Sequence, residues 1–263
     1  MIVVGSCFLG RSNMLIYGIN PVLEALRAGR VTAIRVSPRA DDRVSAALAR
    51  AEEQGVPVRR VQAADLNRET RGAAHQGVVA DVRIGDALSV EDLIVQAVGT
   101  PLIVVLDGIE DPQNVGAILR TVDAAGADGL VRQSRRAAPL GGAAAKASAG
   151  AVSHVKIADV VNIARAIETL KNAGVWTVGL AGDAPKPYDR IDYTLPTALV
   201  VGGEGAGLRR LVRDRCDWVV SIPMRGHVQS LNVSVATGIV LFEVIRQRTR
   251  HGDGAANTPP NRV

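Results

Sequence analysis

The chain has 263 residues, of which 47% are hydrophobic, and its formal net charge of +5 comes mostly from arginine. This length allows one large domain or two modest ones, and this composition excludes global disorder. Aromatic residues make up only 3% of the chain, which argues against RNA-binding modules that stack bases on aromatic platforms. The positive charge favours a nucleic-acid partner, although many enzymes that bind no nucleic acid carry as much.

The opening segment MIVVGSCFLG is apolar but short, and no basic region precedes it, so it is a poor signal peptide. We expect residues 1–13 to be an extra or disordered segment, with Met14 as the natural start. Cys7 and Cys216 lie far apart, which predicts neither a disulfide framework nor a zinc cluster and indicates a reducing cytoplasm. No stretch approaches the roughly 20 apolar residues of a membrane span, so no membrane is expected as a partner.

Residues 14–84 are predicted to form a small α/β unit. The predicted elements are a first helix with Val22, Leu23 and Leu26 on one face, strands at 31–37, 57–61 and 76–83, and a helix at 41–55 that stops at Gly55. Residues 14–83 hold eleven arginines, no lysine and eight carboxylates, a net charge of about +3. That charge fits a surface that faces RNA, and it fits a solvated arginine-rich surface about as well.

Residues 85–98 are predicted to be a linker that carries a short helix, and residues 99–249 a second α/β domain. Continuous apolar runs, typical of buried parallel strands, alternate there with helical patterns. The predicted strands are at 101–107, 175–182, 197–203 and 218–224, and the helices at about 113–125, 160–173 and 232–248. In such sheets ligands bind where the strands end. Residues 250–263 are predicted to be a disordered tail.

Familiar catalytic signatures are missing from the sequence. The segment GGAAAKAS lacks the Gly-Lys pair of a phosphate-binding Walker loop, and no Gly-x-Ser-x-Gly turn is present. The four histidines do not have metal-ligand spacing, so no metal is expected.

The segment LDGIEDPQNVGAILRT places Asn114 in the first turn of a predicted helix and Arg120 six residues later. Six residues at 100° each do not bring two side chains onto one helical face. The two would converge only through side-chain length or at a subunit interface. The alternative is that Asn114 merely starts the helix and Arg120 is a surface charge.

Two further polar segments follow predicted buried strands or open a helix. In LVVGGEGAGLRR, four glycines surround Glu204 and allow a ligand to approach the backbone closely. The loop is only a weak dinucleotide signal, because it comes late in the chain and Ile222 stands where an acidic residue is expected. In SIPMRGHVQSLNVSVATGI, Ser230, Asn232 and Ser234 crowd the start of an apolar helix, where one of them would suffice as a cap.

Taken together, DPQNVGAILRT, VVGGEGAGL and IPMRGHVQSLNVSVATGI resemble the three motifs of SpoU-type (TrmH-like) RNA ribose 2′-O-methyltransferases of the SPOUT superfamily, in the family's order. The resemblance covers about residues 101–248. The front part, from MLIYGINPVLEAL through HQGVVADV, resembles the L30e-like substrate-binding domain that many members carry. The two halves look most like the RlmB-like branch, which methylates a guanosine of large-subunit (23S) ribosomal RNA.

The resemblance implies a parallel-sheet α/β methyltransferase domain with a C-terminal trefoil knot, S-adenosylmethionine as cofactor, and a homodimer with the site near the interface. It implies that the catalytic residues are Asn114, Arg120, Glu204, Ser230 and Asn232. It implies that the cofactor-binding residues are Ala181, Gly182, Gly202, Glu204, Gly205, Ile222, Met224, Gly226 and Leu231.

Among these residues, Arg120 would be the catalytic arginine. Family proposals make it a general base, but an arginine stays protonated in proteins. We therefore interpret its role as electrostatic, polarising the ribose hydroxyl and gripping a phosphate. Ser230 and Asn232 would position groups at the helix start, and Glu204 would orient Arg120 or Asn232.

One segment departs from the family pattern, since QSRRAAPLGGAAAKASAGAVSH is rich in glycine and alanine where relatives have more polar side chains. This departure bears on the nucleotide chosen and not on the reaction. Three alternatives stay open: the same reaction on tRNA or another ribosomal site, a binding protein that has lost catalysis, and a nicotinamide-binding enzyme.

Overall fold

The computed structural model describes residues 13–38, 42–83, 88–135 and 137–252. The chain divides into two compact units, residues 1–86 and 87–263. The segment expected to be extra or disordered, 1–13, lies outside the described residues except for Asn13, and so does the expected tail from residue 253 onward.

The first unit is a four-stranded sheet with three helices. Its strands are β1 (Asn13–Tyr17), β2 (Val31–Val36), β3 (Val58–Arg60) and β4 (Val78–Arg83), and its helices are α1 (Ile19–Arg27), α2 (Asp42–Glu53) and α3 (Ala63–Glu69). The strand order is β1-β4-β2-β3, with β2 and β3 parallel and the other two pairs antiparallel. Helices α1 and α2 pack on each other, and α3 buries Leu66 against Tyr17 and Val79.

The second unit is built on a seven-stranded sheet in which every neighbouring pair is parallel. Its strands are β5 (Leu102–Asp107), β6 (Gly129–Gln133), β7 (Ile157–Val160), β8 (Trp176–Leu180), β9 (Lys186–Pro187), β10 (Thr197–Gly202) and β11 (Trp218–Ser221). Its helices are α4 (Val90–Val95), α5 (Pro112–Ala124), α6 (Ala143–Ala147), α7 (Ile163–Asn172), α8 (Arg210–Arg215) and α9 (Val233–Arg250). The strand order is β7-β6-β5-β10-β8-β11-β9.

Helices cover both faces of this sheet, as the alternation of strands and helices predicts. Helices α4, α7 and α8 enclose one hydrophobic cluster with the inward residues of the central strands, such as Val105 and Val200. Neighbouring strand residues, such as Val104 and Leu199, are buried toward the opposite face, where α9 contacts β10 and packs on α5. Strands β5 and β10 are buried along their whole length, which explains their unbroken apolar sequences.

Part of the predicted linker at 85–98 contributes to the core of the second unit. Residues 88–95 belong to the second unit, because Val90 and Leu93 of α4 are buried in its core and Leu88 bridges to Ala158. A capping box in which Ser89 and Asp92 exchange hydrogen bonds starts α4. The predicted strand at 218–224 is also shorter than expected and ends at Ser221, because Pro223 has no N–H to extend the ladder.

The trefoil knot that the resemblance implies concerns how the chain threads past these strands, and it stays a prediction. Among the residues that the structure describes, no helix is both long and apolar enough to cross a membrane. Across the same ranges, no group of three or more His, Cys, Asp or Glu residues is arranged to hold a metal ion.

Candidate functional site

A cavity of the second unit lies at the carboxyl ends of β8, β10 and β11, against the start of α9. Its volume is about 510 Å³, which falls in the range of sites for small organic ligands. Its wall is formed by Leu180, Ala181, Gly182, Val201, Gly202, Gly203, Glu204, Gly205, Gly207, Ile222, Met224, Gln229, Ser230, Leu231, Asn232, Val233 and Ala236. Most of this wall is backbone or apolar side chain, and a few polar groups converge on one side.

Eight of the nine sequence-predicted cofactor residues line this cavity, namely Ala181, Gly182, Gly202, Glu204, Gly205, Ile222, Met224 and Leu231. Gly226 is not among the lining residues and lies in the exposed segment that follows β11. Three segments far apart in sequence, which follow β8, β10 and β11, therefore meet around one space.

One wall of the cavity is the glycine loop, defined here as residues 203–208, which follows β10. The loop folds back on itself, because Gly207 N donates to Gly203 O at 2.9 Å. A side chain would not fit at its base: a Cβ on Gly202 would lie 2.1 Å from the carbonyl carbon of Gly207. The glycines there are thus required by the close approach of two backbone segments, and Gly205 and Gly207 also have positive φ.

A chain of side-chain hydrogen bonds joins the three polar segments beside the cavity. Asn232 donates from Nδ2 to Oδ1 of Asn114 at 2.9 Å, and Asn114 donates from Nδ2 to Oε1 of Glu204. Asn114 is 5% exposed, whereas Glu204 and Asn232 are exposed at the cavity wall. The sequence resemblance predicts that Glu204 orients Arg120 or Asn232. Instead it accepts from Asn114, and its link to Asn232 is indirect.

The helix starts hold these polar groups in place. Asp111 is the N-cap of α5 and accepts from the backbone N–H groups of Gln113 and Asn114 at 3.1 and 3.3 Å. Asn232 caps α9 through Oδ1, which accepts from Ser234 N at 2.9 Å and Ser234 Oγ at 2.6 Å. Asn232 therefore works as a cap with its oxygen and as a donor to Asn114 with its nitrogen.

Two predicted catalytic residues stand outside this hydrogen-bonded chain. Ser230 lines the cavity just before α9. Arg120 lies six residues after Asn114 on α5, and its side chain is exposed and absent from the cavity lining. Because Arg120 lies six residues after Asn114, the two side chains point to different faces of α5, and one is buried while the other is exposed.

The loop after β8 is fixed by an ion pair at the rim of the cavity. Arg213 donates from Nη1 to both carboxylate oxygens of Asp183 at 2.8 and 2.9 Å. These hydrogen bonds hold the pKa of Asp183 below its ordinary value, so the carboxylate is ionised at neutral pH. Asp183 directly follows Gly182, and the pair thus restrains the Ala181–Gly182 part of the wall.

The sequence had not identified Leu180, Val201, Gln229, Val233 and Ala236 as part of the wall. Four of them lie within the quoted motifs, and Leu180 ends β8 beside the predicted Ala181, so membership of a motif or contact with a predicted residue was the available signal. The apolar side chains among them suit a flat aromatic ring, and the polar groups of Gln229, Ser230 and Asn232 suit a hydrogen-bonding ligand. The wall therefore fits an amphipathic ligand such as S-adenosylmethionine.

The chain is similar to known proteins in sequence and in structure. Residues 101–242 match the SpoU rRNA Methylase family, and residues 15–85 match a domain described as RNA 2′-O ribose methyltransferase substrate binding. The chain is 42% identical, over 90% of its length and 99% of the relative, to the 23S rRNA (guanosine-2′-O-)-methyltransferase RlmB of Photobacterium profundum.

Among solved structures, the chain is similar to the SpoU methyltransferase AviRb from Streptomyces viridochromogenes in complex with the cofactor AdoMet, with a TM-score of 0.76 and 27% identity. That match covers 90% of this chain and 91% of AviRb. The TrmH/SpoU tRNA-modifying enzyme of A. aeolicus is 32% identical with a TM-score of 0.55, and it matches 63% of this chain and 85% of its own.

Proposed function

Since the chain belongs to the SpoU rRNA Methylase family, we propose that it transfers a methyl group from S-adenosylmethionine to a ribose 2′-hydroxyl of a guanosine in 23S ribosomal RNA. The observation that carries this proposal is the cavity at the carboxyl ends of β8, β10 and β11, with the Asn232–Asn114–Glu204 hydrogen bonds beside it. The relatives named as 23S rRNA guanosine methyltransferases support the choice of RNA.

The cavity wall fits the cofactor in two ways. The backbone around Gly202 and Gly205 leaves room for close approach, and the side chains of Ile222, Met224 and Leu231 offer an apolar surface. When bound, S-adenosylmethionine supplies a methyl group on a positively charged sulfur that leaves readily. The protein must then chiefly bring the ribose oxygen into line with that methyl group and lower the cost of the negative charge that grows on the oxygen.

The polar side chains have separate roles in this proposal. Asn114 and Asn232 are held by hydrogen bonds, so their remaining polar atoms keep a fixed direction toward the ribose. Ser230 offers a hydroxyl at the same rim. The positively charged guanidinium of Arg120 polarises the 2′-hydroxyl while it binds the neighbouring phosphate. Near-full turnover by a folded Arg120→Ala variant would contradict this role.

The exposed position of Arg120 on α5 supports a homodimer as part of the proposal. Helix α9 packs beside α5, and it exposes Val235 and Phe242, which are 50% and 53% accessible, on one side. Two large apolar residues seven positions apart share a helical face and are typical of a contact surface. A second copy that covers this face would bring its own α5 close to the site. Sedimentation of the wild-type chain as a monomer at micromolar concentration would contradict the dimer.

The first unit would bind the RNA, by its match to a substrate-binding domain. Its edge strand β3 exposes both Arg59 and Arg60, which can contact phosphates. The tRNA-modifying relative matches only 63% of the chain, which favours ribosomal RNA over tRNA as substrate. Because that substrate is ribosomal RNA, we propose a cytoplasmic location.

The test is a map of methylated nucleotides. The protein is incubated with methyl-labelled S-adenosylmethionine and either 23S rRNA or total tRNA, both transcribed without modifications. A 2′-O-methyl group protects the adjacent phosphodiester from alkaline cleavage, because the 2′-oxygen can no longer attack the phosphorus. We expect one protected guanosine in 23S rRNA. Label that appears only in tRNA, or on a base, would overturn the proposal.

A further inference from the structure

We infer that Asp107 and Arg209 are a positioning pair that holds the glycine loop in shape and thereby sets the affinity for the methyl donor. The inference rests on the proposed function, since it assigns a task to residues around the same cavity. Neither residue lines the cavity. They act through the loop between them and are not catalytic residues.

Asp107 is the last residue of β5, and its side chain has no exposed surface. All of its observed carboxylate partners come from one residue. Arg209 donates its backbone N–H to Oδ2 at 2.8 Å and its Nε to Oδ1 at 2.6 Å, and its Nη2 lies 2.5 Å from Oδ1. A buried carboxylate that is fully committed to one arginine makes a stiff contact, because separating the pair would leave a charge buried without a partner.

The same aspartate also holds the other end of the loop. Gly203 N donates to the main-chain oxygen of Asp107 at 3.0 Å, and a Cβ on Gly203 would lie 2.5 Å from Gly108 O. The glycine loop therefore begins at Gly203, which binds the main-chain oxygen of Asp107. It ends just before Arg209, which binds the Asp107 carboxylate. One residue of β5 thus fixes the entry and the exit of a loop whose Gly203, Gly205 and Gly207 form the cavity wall.

The position of Arg209 separates this task from simple core packing. Its side chain is 48% exposed, so it fills no hole in the core, and yet it donates to a carboxylate with no exposure. Arg210, the next residue, is 97% exposed and only approaches Asp214 at 3.8 Å. Arg209 and Arg210 are adjacent in sequence, but only Arg209 contacts the buried carboxylate that holds the glycine loop.

The pair should act on cofactor binding more than on transfer. Glu204, the loop residue that contacts Asn114, is restrained separately by that hydrogen bond. Loosening the exit of the loop at Arg209 therefore frees mainly Gly205 and Gly207. A ligand that must first order a loose wall binds more weakly, because part of the binding free energy is used to order it. Once the site is saturated, the hydrogen bonds of Asn114 and Asn232 are unchanged.

The experiment is isothermal titration of the full chain with S-adenosylhomocysteine in the absence of RNA, for wild type, Asp107→Asn, Arg209→Lys and the control Arg210→Lys. We expect the Kd to rise at least about tenfold in Asp107→Asn and by a smaller factor in Arg209→Lys, which keeps the charge but loses the planar fork. Arg210→Lys should match wild type. At saturating cofactor, kcat for methyl transfer to RNA should stay within about threefold of wild type.

Several outcomes would overturn the inference. One is a wild-type Kd in folded Arg209→Lys and Asp107→Asn. Another is a fall in kcat at unchanged KM for the cofactor. If Asp107→Asn does not fold, Arg209→Lys and Arg209→Gln carry the test, and a lower melting temperature with unchanged Kd would show a purely structural pair. A wild-type chain that gives no heat with S-adenosylhomocysteine would overturn the proposed function itself, and the inference with it.

Discussion

Asn114 donates a hydrogen bond from its side-chain nitrogen to the Glu204 carboxylate, across 90 residues of sequence. This contact ties the first turn of α5 to the glycine loop, and Asn232 extends it to the start of α9. A hydrogen bond to a charged group stabilises by roughly 1.5–3 kcal/mol, more than a neutral one, so the negative charge of Glu204 strengthens this contact.

Substitution Glu204→Gln should therefore impair turnover while leaving the fold intact. The glutamine oxygen can still accept from Asn114, but the bond becomes neutral. We expect the initial rate of methyl transfer to fall about fivefold to tenfold, because a hydrogen bond to a charged group contributes about 1–1.5 kcal/mol more than a neutral one. The matched control is Glu110→Gln, since Glu110 is an exposed glutamate just before α5. Equal rates for the two variants would show that the Glu204 charge has no role.

Two helical glycines should respond in opposite directions to alanine. A Cβ on Gly116 of α5 would lie 2.5 Å from Ala144 O and 2.5 Å from Ala147 Cβ, so Gly116→Ala must push α6 away. A Cβ on Gly238 of α9 would meet Thr121 Cγ2 at an ordinary 3.5 Å. We expect urea unfolding to show a loss of about 1–3 kcal/mol for Gly116→Ala. For Gly238→Ala we expect no loss, or a gain of up to ~1 kcal/mol. A stability loss in both variants would mean that helix packing is not what distinguishes them.

Arg248 fastens the end of α9 to the sheet. It is only 8% exposed, and its guanidinium donates to four main-chain oxygens, those of Thr100, Pro101, Tyr193 and Leu195. Arg248→Met keeps the aliphatic stem but leaves these oxygens without that donor. We expect the free energy of unfolding to fall by about 2–3 kcal/mol, measured in urea.

The control for this prediction is Arg250→Met, because Arg250 is exposed two residues later in the same helix. Its free energy of unfolding should stay within ~0.5 kcal/mol of wild type. A loss of the same size in both variants would indicate an effect of net charge and not of the hydrogen bonds.

We expect the free energy of unfolding to fall in acid because Asp217 becomes protonated. Burial raises the pKa of Asp217, but hydrogen bonds from Lys171 and from the Thr177 backbone and hydroxyl outweigh it and hold the pKa below its ordinary value. A carboxyl whose pKa is lower when folded stabilises the protein above its unfolded pKa of roughly 3.9, and this contribution is lost as the pH falls through the folded pKa.

The measurement compares wild type with Asp217→Asn in urea at several pH values from 7 to 3. We expect the variant to be less stable at pH 5–7 and the difference to shrink below about pH 4. Asp214→Asn is the matched control, because Asp214 is 62% exposed and only approaches Arg210. A difference between wild type and Asp217→Asn that stays constant down to pH 3 would contradict the assignment.

The sequence was most informative where local patterns suffice. The apolar runs at β5, β8, β10 and β11 predicted the buried strands to within a few residues, because a strand covered on both faces needs apolar residues throughout. It was silent at β6 and β7. Strand β6 reads GLVRQ, too short and too polar at its end to stand out, and becomes a strand only by pairing with β5 and β7.

The candidate site divides in the same way. The order of the motifs indicated which segments contribute to the site, but it did not show which side chains bind each other. Helical geometry separates Asn114 from Arg120 and says nothing of Glu204, whose contact with Asn114 depends on how β5 and β10 lie side by side. The Asp107–Arg209 pair joins residues 102 positions apart and follows no local pattern either.

These hydrogen bonds join segments of the chain that are synthesised at different times. Asn114 leaves the ribosome 118 residues before Asn232, its hydrogen-bond donor. At about 5–20 residues per second in synthesis, that interval is on the order of ten seconds. During it the first unit is already complete, whereas the glycine loop is missing for most of the interval and the cap of α9 for all of it. The newly made protein can therefore present the unit that we propose to bind RNA well before it has a place for the methyl donor.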